Sequence, residues 1–357
     1  MKKTACYDVH REQGGKIVDF AGWALPIQFQ GILKEHEAVR TRCGIFDCSH
    51  MGQVFVKGPK VLDYFQNLIS NNIEKISDGK AIYSGMLNEE GGFVDDLIVY
   101  RISPTEAMAV INASNIDKDV AWMKKVEKDG EYGLSIEDRS DEMGLVALQG
   151  PESPKFLQET LGIDLKAIKR FGFITFNFEG QDGFICRTGY TGEEGVELVF
   201  PNGVMPQLLK AFIDHGVTPC GLGARDSLRL EKGYSLYGHE IDDTTNAIEA
   251  GLSWTVDLEK NDFIGKSALL KIKEEGTKRK LVAFKMEGKA MARQGDVIVD
   301  EDEKELGTVT SGTFSPSLKG GIGLAYVPSS FTNKQLHIKV RKRVLTANLC
   351  KRDFLKA

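Results

Sequence analysis

The stretch NEEGGFVDDLIVYR, residues 88–101, carries the signals of a tight turn followed by a strand. The residues EEGG have the composition of a β-hairpin turn, and the apolar run behind them predicts a strand. Side chains alternate across a strand, so Asp95 and Asp96 lie on opposite faces, each with apolar neighbours. Whichever face is buried, one of the two carboxylates is held among apolar side chains.

The paired aspartates admit two interpretations. Burying a charge is costly unless something pairs with it, so a carboxylate kept in this place predicts a cationic ligand or intermediate. Turns also favour aspartate for local hydrogen bonding, so an ordinary surface turn explains the same residues. The residues alone leave both interpretations open.

Composition places the chain among soluble globular proteins. Its 357 residues are too many for one ordinary core and predict two or three domains, with 41% hydrophobic and 27% charged residues. A net charge of −5 argues against broad binding of nucleic acid or membrane surfaces, which needs a basic face. No apolar run reaches the roughly 18 residues of a membrane span. The first residues, MKKTACYDVHREQGG, resemble neither a signal nor a transit peptide, which predicts a cytoplasmic protein.

The cysteines and histidines do not predict a metal site. The six cysteines form no C-x-x-C pair, and in a chain of this size we expect reduced thiols. The six histidines are scattered without metal-ligand spacing.

The order of helical and strand patterns predicts an α+β fold rather than a parallel βαβ array. One predicted helix carries Ile32, His36, Val39 and Cys43 on one face and ends at Gly44. A capping box of Ser114 and Asp117 predicts the start of another. The loop RTGYTGEEG, residues 187–195, suits close backbone approach by a ligand, because glycine lacks a side chain.

The character of the chain changes after about residue 275. The segments LVAFKM, GDVIVD, LGTVTSG, GGIGLAYV and LHIKV predict a small, separate all-β barrel or sandwich. The charged stretch KIKEEGTKRK, residues 271–280, is the predicted boundary.

Two nucleotide-binding motifs are excluded. A phosphate loop ending in Gly265, Lys266 and Ser267 would need a glycine at position 260, where the chain has Lys260. The segment GLGARD has two of the three glycines of a dinucleotide fingerprint and no clear strand before it.

Six segments together resemble the aminomethyltransferase family, the T-proteins of the glycine cleavage system. They are IVDFAGW (17–23), SHMG (49–52), NEEGGFVDDLIVY (88–100), RTGYTGEEGVE (187–197), GLGARDSLRLEKG (221–233) and TSGTFSPSL (310–318). The resemblance covers essentially the whole chain, with the segments in order.

The resemblance implies a three-domain cloverleaf around a central folate-binding hole. Its expected parts are residues 1–50 with 140–246, residues 51–139 with 247–277, and a C-terminal barrel of residues 278–357. It also implies an aminomethyl group taken from the lipoyl arm of H-protein in glycine catabolism. The products are methylenetetrahydrofolate, ammonia and dihydrolipoyl H-protein, with tetrahydrofolate as co-substrate and no metal.

The family's functional residues map onto this chain by motif. Asp96, the second aspartate of the pair, matches the catalytic carboxylate, whereas we expect Asp95 only to support the turn. Glu197 matches the pterin-reading carboxylate and Arg225 a second folate ligand. Further positions that match the folate pocket or supply aromatic walls for it are Tyr83, Tyr100, Tyr190, Tyr234, Met51 and Asn112. We expect His50 to be structural.

One departure and three alternatives qualify this interpretation. Family members often end in a proline-phenylalanine-tyrosine-like tail that reaches the folate, but this chain ends RDFLKA. A folate-dependent demethylase of a small amine or sulfonium would keep the folate site. A folate-binding accessory protein for iron–sulfur assembly is disfavoured, because Ser235 stands where those relatives have a cysteine. A binding-only remnant is disfavoured by the intact Asp96, Glu197 and Arg225.

Overall fold

The computed structural model describes residues 1–288 and 290–356. Along the chain it divides into two compact units. Unit 1 comprises Met1–Ser84 and Asp96–Asp226, and unit 2 comprises Gly85–Asp95 and the chain from Ser227 onwards. The three-part division and the cloverleaf arrangement expected from the resemblance stay predictions.

Helices and strands alternate in an irregular order, and the predicted α+β class is confirmed. The helices are α1 (Tyr7–Glu12), α2 (Ile32–Thr41), α3 (Val61–Leu68), α4 (Ile116–Gly130), α5 (Ser153–Leu161), α6 (Met205–Asp214), α7 (Leu222–Glu231) and α8 (Lys266–Glu275).

The strands before the barrel are β1 (Lys16–Phe20), β2 (Trp23–Gln28), β3 (Gly44–Asp47), β4 (Gly52–Lys57), β5 (Lys80–Leu87), β6 (Phe93–Ser103), β7 (Glu106–Ile111), β8 (Ser135–Asp138), β9 (Met143–Gln149), β10 (Phe173–Phe178), β11 (Gln181–Cys186), β12 (Gly195–Pro201) and β13 (Thr218–Cys220). The strands from Arg279 on are β14 (Arg279–Met286), β15 (Val297–Val299), β16 (Glu305–Ser315), β17 (Gly320–Pro328), β18 (Gln335–Val340) and β19 (Arg343–Cys350).

Unit 1 contains a six-stranded sheet in the order β10-β11-β12-β9-β3-β13. Helix α6 packs on it with Met205, Leu208, Leu209 and Phe212 buried, which is the i, i+3, i+4, i+7 spacing of one helix face. The strands β9 and β12 are buried along almost their whole length, so Glu197 on β12 is placed in the interior by its neighbours.

A second, five-stranded sheet has the order β5-β6-β7-β4-β8. Its strand β6, second in this order, gives the two aspartates different surroundings. Phe93, Asp95, Leu97 and Val99 are all at most 2% exposed, whereas Asp96 on the other face is half-buried.

The hairpin turn predicted at residues 89–92 is present. The backbone N–H of Asn88 donates to the carbonyl of Gly92 at 2.9 Å, and the Gly92 N–H donates to Asn88 Oδ1 at 2.8 Å. Gly91 has φ +84°, a conformation that glycine adopts without steric cost. The turn therefore fixes the register in which β6 leaves it.

Unit 2 contains a closed barrel in the order β14-β17-β16-β15-β18-β19, which confirms the predicted C-terminal β-domain. Helix α8 begins at Lys266, directly after Gly265, and occupies the first half of the predicted boundary. The sequence pattern identified five of the barrel strands and missed β19, whose residues Arg343 and Val344 are exposed and do not alternate.

Two local predictions are wrong. Helix α4 has Asn115 as its N-cap, without a side-chain cap hydrogen bond, so Ser114 and Asp117 form no capping box. A short 3₁₀ turn over Ala113–Asn115 leads into the helix instead. A strand does precede the GLGARD segment, because β13 pairs in parallel with β3 directly before α7.

Candidate active site

The carboxylate of Asp96 is held by two neutral donors from neighbouring strands. Tyr83 on β5 donates its hydroxyl to Oδ2 at 2.8 Å. Asn112, which follows β7, donates its amide to Oδ1 at 2.9 Å and to the backbone carbonyl of Asp96 at 3.1 Å. Three residues predicted for the site thus come together on one sheet, and the two donors fix the orientation of the carboxylate.

Asp95 has different surroundings from its neighbour. Its side chain is completely buried on the opposite face of β6, among the apolar residues of that face. Asp96 is therefore the more accessible aspartate of the pair, and its catalytic role stays a prediction.

Glu197 is a second carboxylate, 8% exposed, on β12. Thr188, in the loop after β11, donates its hydroxyl to Glu197 Oε2 at 2.5 Å. Burial raises the pKa of Glu197, and the Thr188 hydrogen bond and the positive charge of Arg225 offset this only in part. Desolvation is the largest influence on this carboxyl group, as expected for a charge in a low-dielectric interior.

Tyr100 lies on the same face of β6 as Asp96 and is completely buried. Its hydroxyl is 3.1 Å from Thr188 Oγ1. Burial raises the pKa of Tyr100 well above its ordinary value, so the phenol remains protonated. Tyr100 reaches Glu197 through Thr188, and its role as an aromatic wall for folate stays a prediction.

Arg225 and Tyr190 form a stacked pair. The guanidinium carbon of Arg225, at the start of α7, lies 4.8 Å from the centre of the Tyr190 ring, within the range of a cation–π contact. Both side chains are half-buried. Since the charge of Arg225 also lowers the pKa values of Glu197 and His50, the arginine is a local source of positive potential in this part of unit 1.

Sequence reasoning missed Thr188 and Arg40 as supporting residues. Arg40 on α2 donates to the backbone carbonyl of Thr191 at 2.7 Å and pairs with Glu193 at 2.9 Å, so it holds the RTGYTGEEG loop. The only sequence signal for Thr188 was its place inside that loop. Nothing in the pattern around residue 40 pointed to Arg40.

The SHMG segment follows β3. Burial, reinforced by Arg225, lowers the pKa of His50 to about 4, and Asp47 opposes this only in part, so the imidazole is neutral at pH 7. Its ring packs edge-on against Phe20 at 5.6 Å. Met51 is half-buried, and its backbone N–H donates to the carbonyl of Cys48 at 3.0 Å. The structural role expected for His50 stays a prediction, as does the role of Met51 near the pocket.

Tyr234 belongs to unit 2, in the segment after α7. Arg352, near the C-terminus, holds the residues on both sides of it by donating to the Gly233 carbonyl at 2.6 Å and to Ser235 Oγ at 2.7 Å. Phe354 is 2% exposed, so the chain around it is anchored. The terminal segment thus supports the backbone that carries Tyr234.

No group of three or more metal-ligating side chains occurs within residues 1–288 and 290–356. In the same residues, none of the helices combines the length and apolar character needed to cross a membrane.

Two family models account for nearly all of the chain. The GCVT N-terminal domain matches residues 6–260, and the glycine cleavage T-protein C-terminal barrel domain matches residues 279–356. The chain belongs to the glycine cleavage T-protein family. The family predicted from the six segments is therefore confirmed.

Individual T-proteins match over their full length. The aminomethyltransferase of Halothermothrix orenii is 43% identical over 99% of this chain and 100% of its own. That of Halalkalibacterium halodurans is 46% identical over 100% of this chain and 98% of its own. The crystal structure of the glycine cleavage system aminomethyltransferase T from Bartonella henselae superposes with a TM-score of 0.93. It is 32% identical, covering 99% of this chain and 98% of that one.

Proposed function

We propose that this T-protein takes the aminomethyl group carried by the lipoyl arm of H-protein and passes its carbon to tetrahydrofolate. Ammonia, methylenetetrahydrofolate and dihydrolipoyl H-protein are the products. The protein is an aminomethyltransferase of the glycine cleavage system, an enzyme like the relatives that it matches from end to end. None of the matches reported above favours a demethylase or an accessory protein.

The observation that carries the proposal is the fixed carboxylate of Asp96. Positive charge builds on the transferred carbon and its nitrogen as the bond to sulfur breaks. A preorganised negative group stabilises such charge without reorganisation, usually the largest single contribution to catalysis. The donors Tyr83 and Asn112 hold the Asp96 carboxylate in one orientation, so it meets this requirement.

The residues around Glu197 fit a folate. A buried carboxylate can accept two adjacent N–H groups from the edge of a pterin ring, a bidentate contact. Arg225 and Tyr190 supply a cation and an aromatic face for the rest of the ligand. Tetrahydrofolate would contribute the nitrogen that accepts the carbon, and the roles of these residues are proposals.

H-protein, a soluble carrier, is the proposed macromolecular partner, with no nucleic acid or membrane surface involved. We propose a cytoplasmic location for glycine catabolism by this enzyme. All six cysteines are thiols, the form kept in a reducing compartment.

Asp96→Asn tests the role of the carboxylate. The variant removes the charge and leaves one acceptor for the two donors. We expect kcat for ammonia release from aminomethylated H-protein to fall by about 100- to 1,000-fold. Tetrahydrofolate affinity, measured by titration calorimetry, should change little.

Asp129→Asn is the matched control, because Asp129 is 61% exposed in a surface pair with Lys125 and should be neutral. Unchanged turnover in Asp96→Asn would remove Asp96 from its role. If the wild-type protein binds tetrahydrofolate yet releases no ammonia from that donor, the proposed reaction itself is wrong.

A further inference from the structure

A chain of buried hydroxyl groups leads to Glu197. The Tyr100 hydroxyl lies 3.1 Å from Thr188 Oγ1, which lies 2.5 Å from Glu197 Oε2. Tyr100 is completely buried, and Thr188 and Glu197 are each 8% exposed. Hydrogen bonds this far from water are stronger than those at the surface, and leaving one unmade is correspondingly costly.

The direction of donation along this chain is fixed. A threonine hydroxyl has a single proton, and Thr188 gives it to the carboxylate of Glu197. Only lone pairs of Thr188 are then left for Tyr100, whose hydroxyl donates when it pairs with Thr188 and also contacts the Cys186 thiol. In that pairing both protons point toward Glu197, which makes its Oε2 an acceptor.

The hydroxyl chain joins the five-stranded sheet to the six-stranded sheet. Tyr100 is on β6 of the five-stranded sheet, and Glu197 is on β12 of the six-stranded sheet. Tyr100 is four residues beyond Asp96 on the same face of β6. The position of Glu197 is thereby tied to the strand that carries the catalytic carboxylate.

We propose that Thr188 is a positioning residue for folate, which sets the orientation and the ionised state of Glu197, with Tyr100 setting Thr188 in turn. The inference rests on the proposed function, in which Glu197 recognises the pterin through its N–H groups. Thr188 touches the carboxylate and acts on the ligand only through it.

Thr188→Val tests the inference, because valine has the shape of threonine without the hydroxyl. A hydrogen bond to a charged group is worth enough that tetrahydrofolate should bind roughly tenfold or more weakly. The KM for tetrahydrofolate should rise in proportion, with a smaller change in kcat. Affinity should also titrate at a higher pH than in the wild type, since Glu197 has lost a donor that favours its ionised form.

Two further variants separate positioning from general damage. Thr188→Ser keeps the hydroxyl and should restore both the affinity and the pH profile. Tyr100→Phe should weaken tetrahydrofolate binding less than Thr188→Val.

The double variant should bind tetrahydrofolate no more weakly than Thr188→Val alone, because Tyr100 acts through Thr188. If Thr188→Val fails to fold, Tyr100→Phe and Thr188→Ser still provide the pH profile.

Thr255→Val is the matched control. Thr255 is 1% exposed, and its hydroxyl donates to the backbone carbonyl of Leu252, so this variant loses a buried hydroxyl elsewhere. Thr255→Val should not change the pH dependence of tetrahydrofolate affinity.

Glu197→Gln separates failure of the positioning role of Thr188 from failure of pterin recognition by Glu197. If Glu197→Gln binds tetrahydrofolate like the wild type, the recognition of the pterin by Glu197 is wrong. If Glu197→Gln binds at least tenfold more weakly while Thr188→Val keeps wild-type affinity and pH profile, only the positioning role is overturned.

Discussion

Two aspartates of identical chemistry receive different environments from strand alternation. Asp95 is completely buried, whereas Asp96 is half-buried and bonded to Tyr83 and Asn112. The sequence predicted that the pair would be split between two faces, because that follows from backbone geometry alone. The resemblance named Tyr83 and Asn112 as pocket residues, but the sequence did not predict that they donate to Asp96, since Tyr83 lies on β5 and Asn112 follows β7.

At the same scale, Glu197 shows what a buried carboxylate costs the fold. Its pKa is raised from 4.5 by burial, so the folded state holds this proton more tightly than the unfolded state does. The contribution to stability is therefore full below pH 4.5 and is lost as the pH rises through the raised pKa of the folded state. Above this raised pKa the ionised Glu197 destabilises the protein.

Glu197→Gln should relieve this cost. The variant cannot ionise, so its melting temperature should exceed that of the wild type at pH 8, and the difference should shrink as the pH falls toward 4.5. Differential scanning calorimetry between pH 4.5 and pH 8 measures the melting temperatures of the variant and of the wild type. The exposed Glu159→Gln serves as the control and should show no such pH-dependent difference. A variant that is less stable than the wild type at every pH would contradict the assignment.

Among elements, the β5–β6 hairpin is the part of the fold that the sequence predicted best. Its turn depends on local chemistry, the positive φ of Gly91 and the double contact of Asn88 with Gly92. Gly92 also lies against another segment of unit 2, where a Cβ atom would overlap the backbone carbonyl of Asp243. Only glycine fits at this point.

Gly92→Ala should destabilise this hairpin and its packing in unit 2. The methyl group must displace backbone rather than a flexible side chain, which costs about 1–3 kcal/mol or roughly 2–12 °C in melting temperature. Differential scanning calorimetry measures the shift. Gly203→Ala is the control, because its added Cβ meets nothing within 4 Å. Equal melting of the two variants would show that the backbone at Asp243 yields easily.

The sequence was less informative about elements set by distant contacts. The strand β19 was missed because its exposed Val344 breaks the alternation, and its place is fixed by pairing with β14 and β18. The short strand β13 was missed because Thr218–Cys220 carries too few residues for a pattern. The hydroxyl chain from Tyr100 to Glu197 joins two sheets. The periodicity of a sequence does not predict which side chains of different sheets come into contact.

For the whole molecule, the sequence predicted the class, the C-terminal barrel and the family. The family was predicted from six motifs that occur in order along the chain. The barrel was predicted from the series of short strand patterns after about residue 275. The two compact units follow a partition that no linker in the sequence suggested. The chain passes between them after Ser84, Asp95 and Asp226.

This partition predicts that unfolding is not a single step. Chains made of several compact units generally depart from two-state behaviour. Scanning calorimetry should give a calorimetric enthalpy larger than the van't Hoff enthalpy. Hydrogen exchange in urea should then show the barrel amides and the six-stranded-sheet amides opening at different denaturant concentrations. Equal enthalpies with simultaneous opening would show that the units unfold together.

The doubled aspartate of β6 has a consequence for how the enzyme can vary. Sliding this strand by one residue turns every side chain over, which normally destroys a site. Here a one-residue insertion just after the turn would carry Asp95 into the position that Asp96 now holds beside Tyr83 and Asn112. A one-residue deletion would bring Leu97 there instead. The hairpin loop could therefore lengthen by one residue, but not shorten, without removing the acid from that position, a tolerance that a lone carboxylate would not confer.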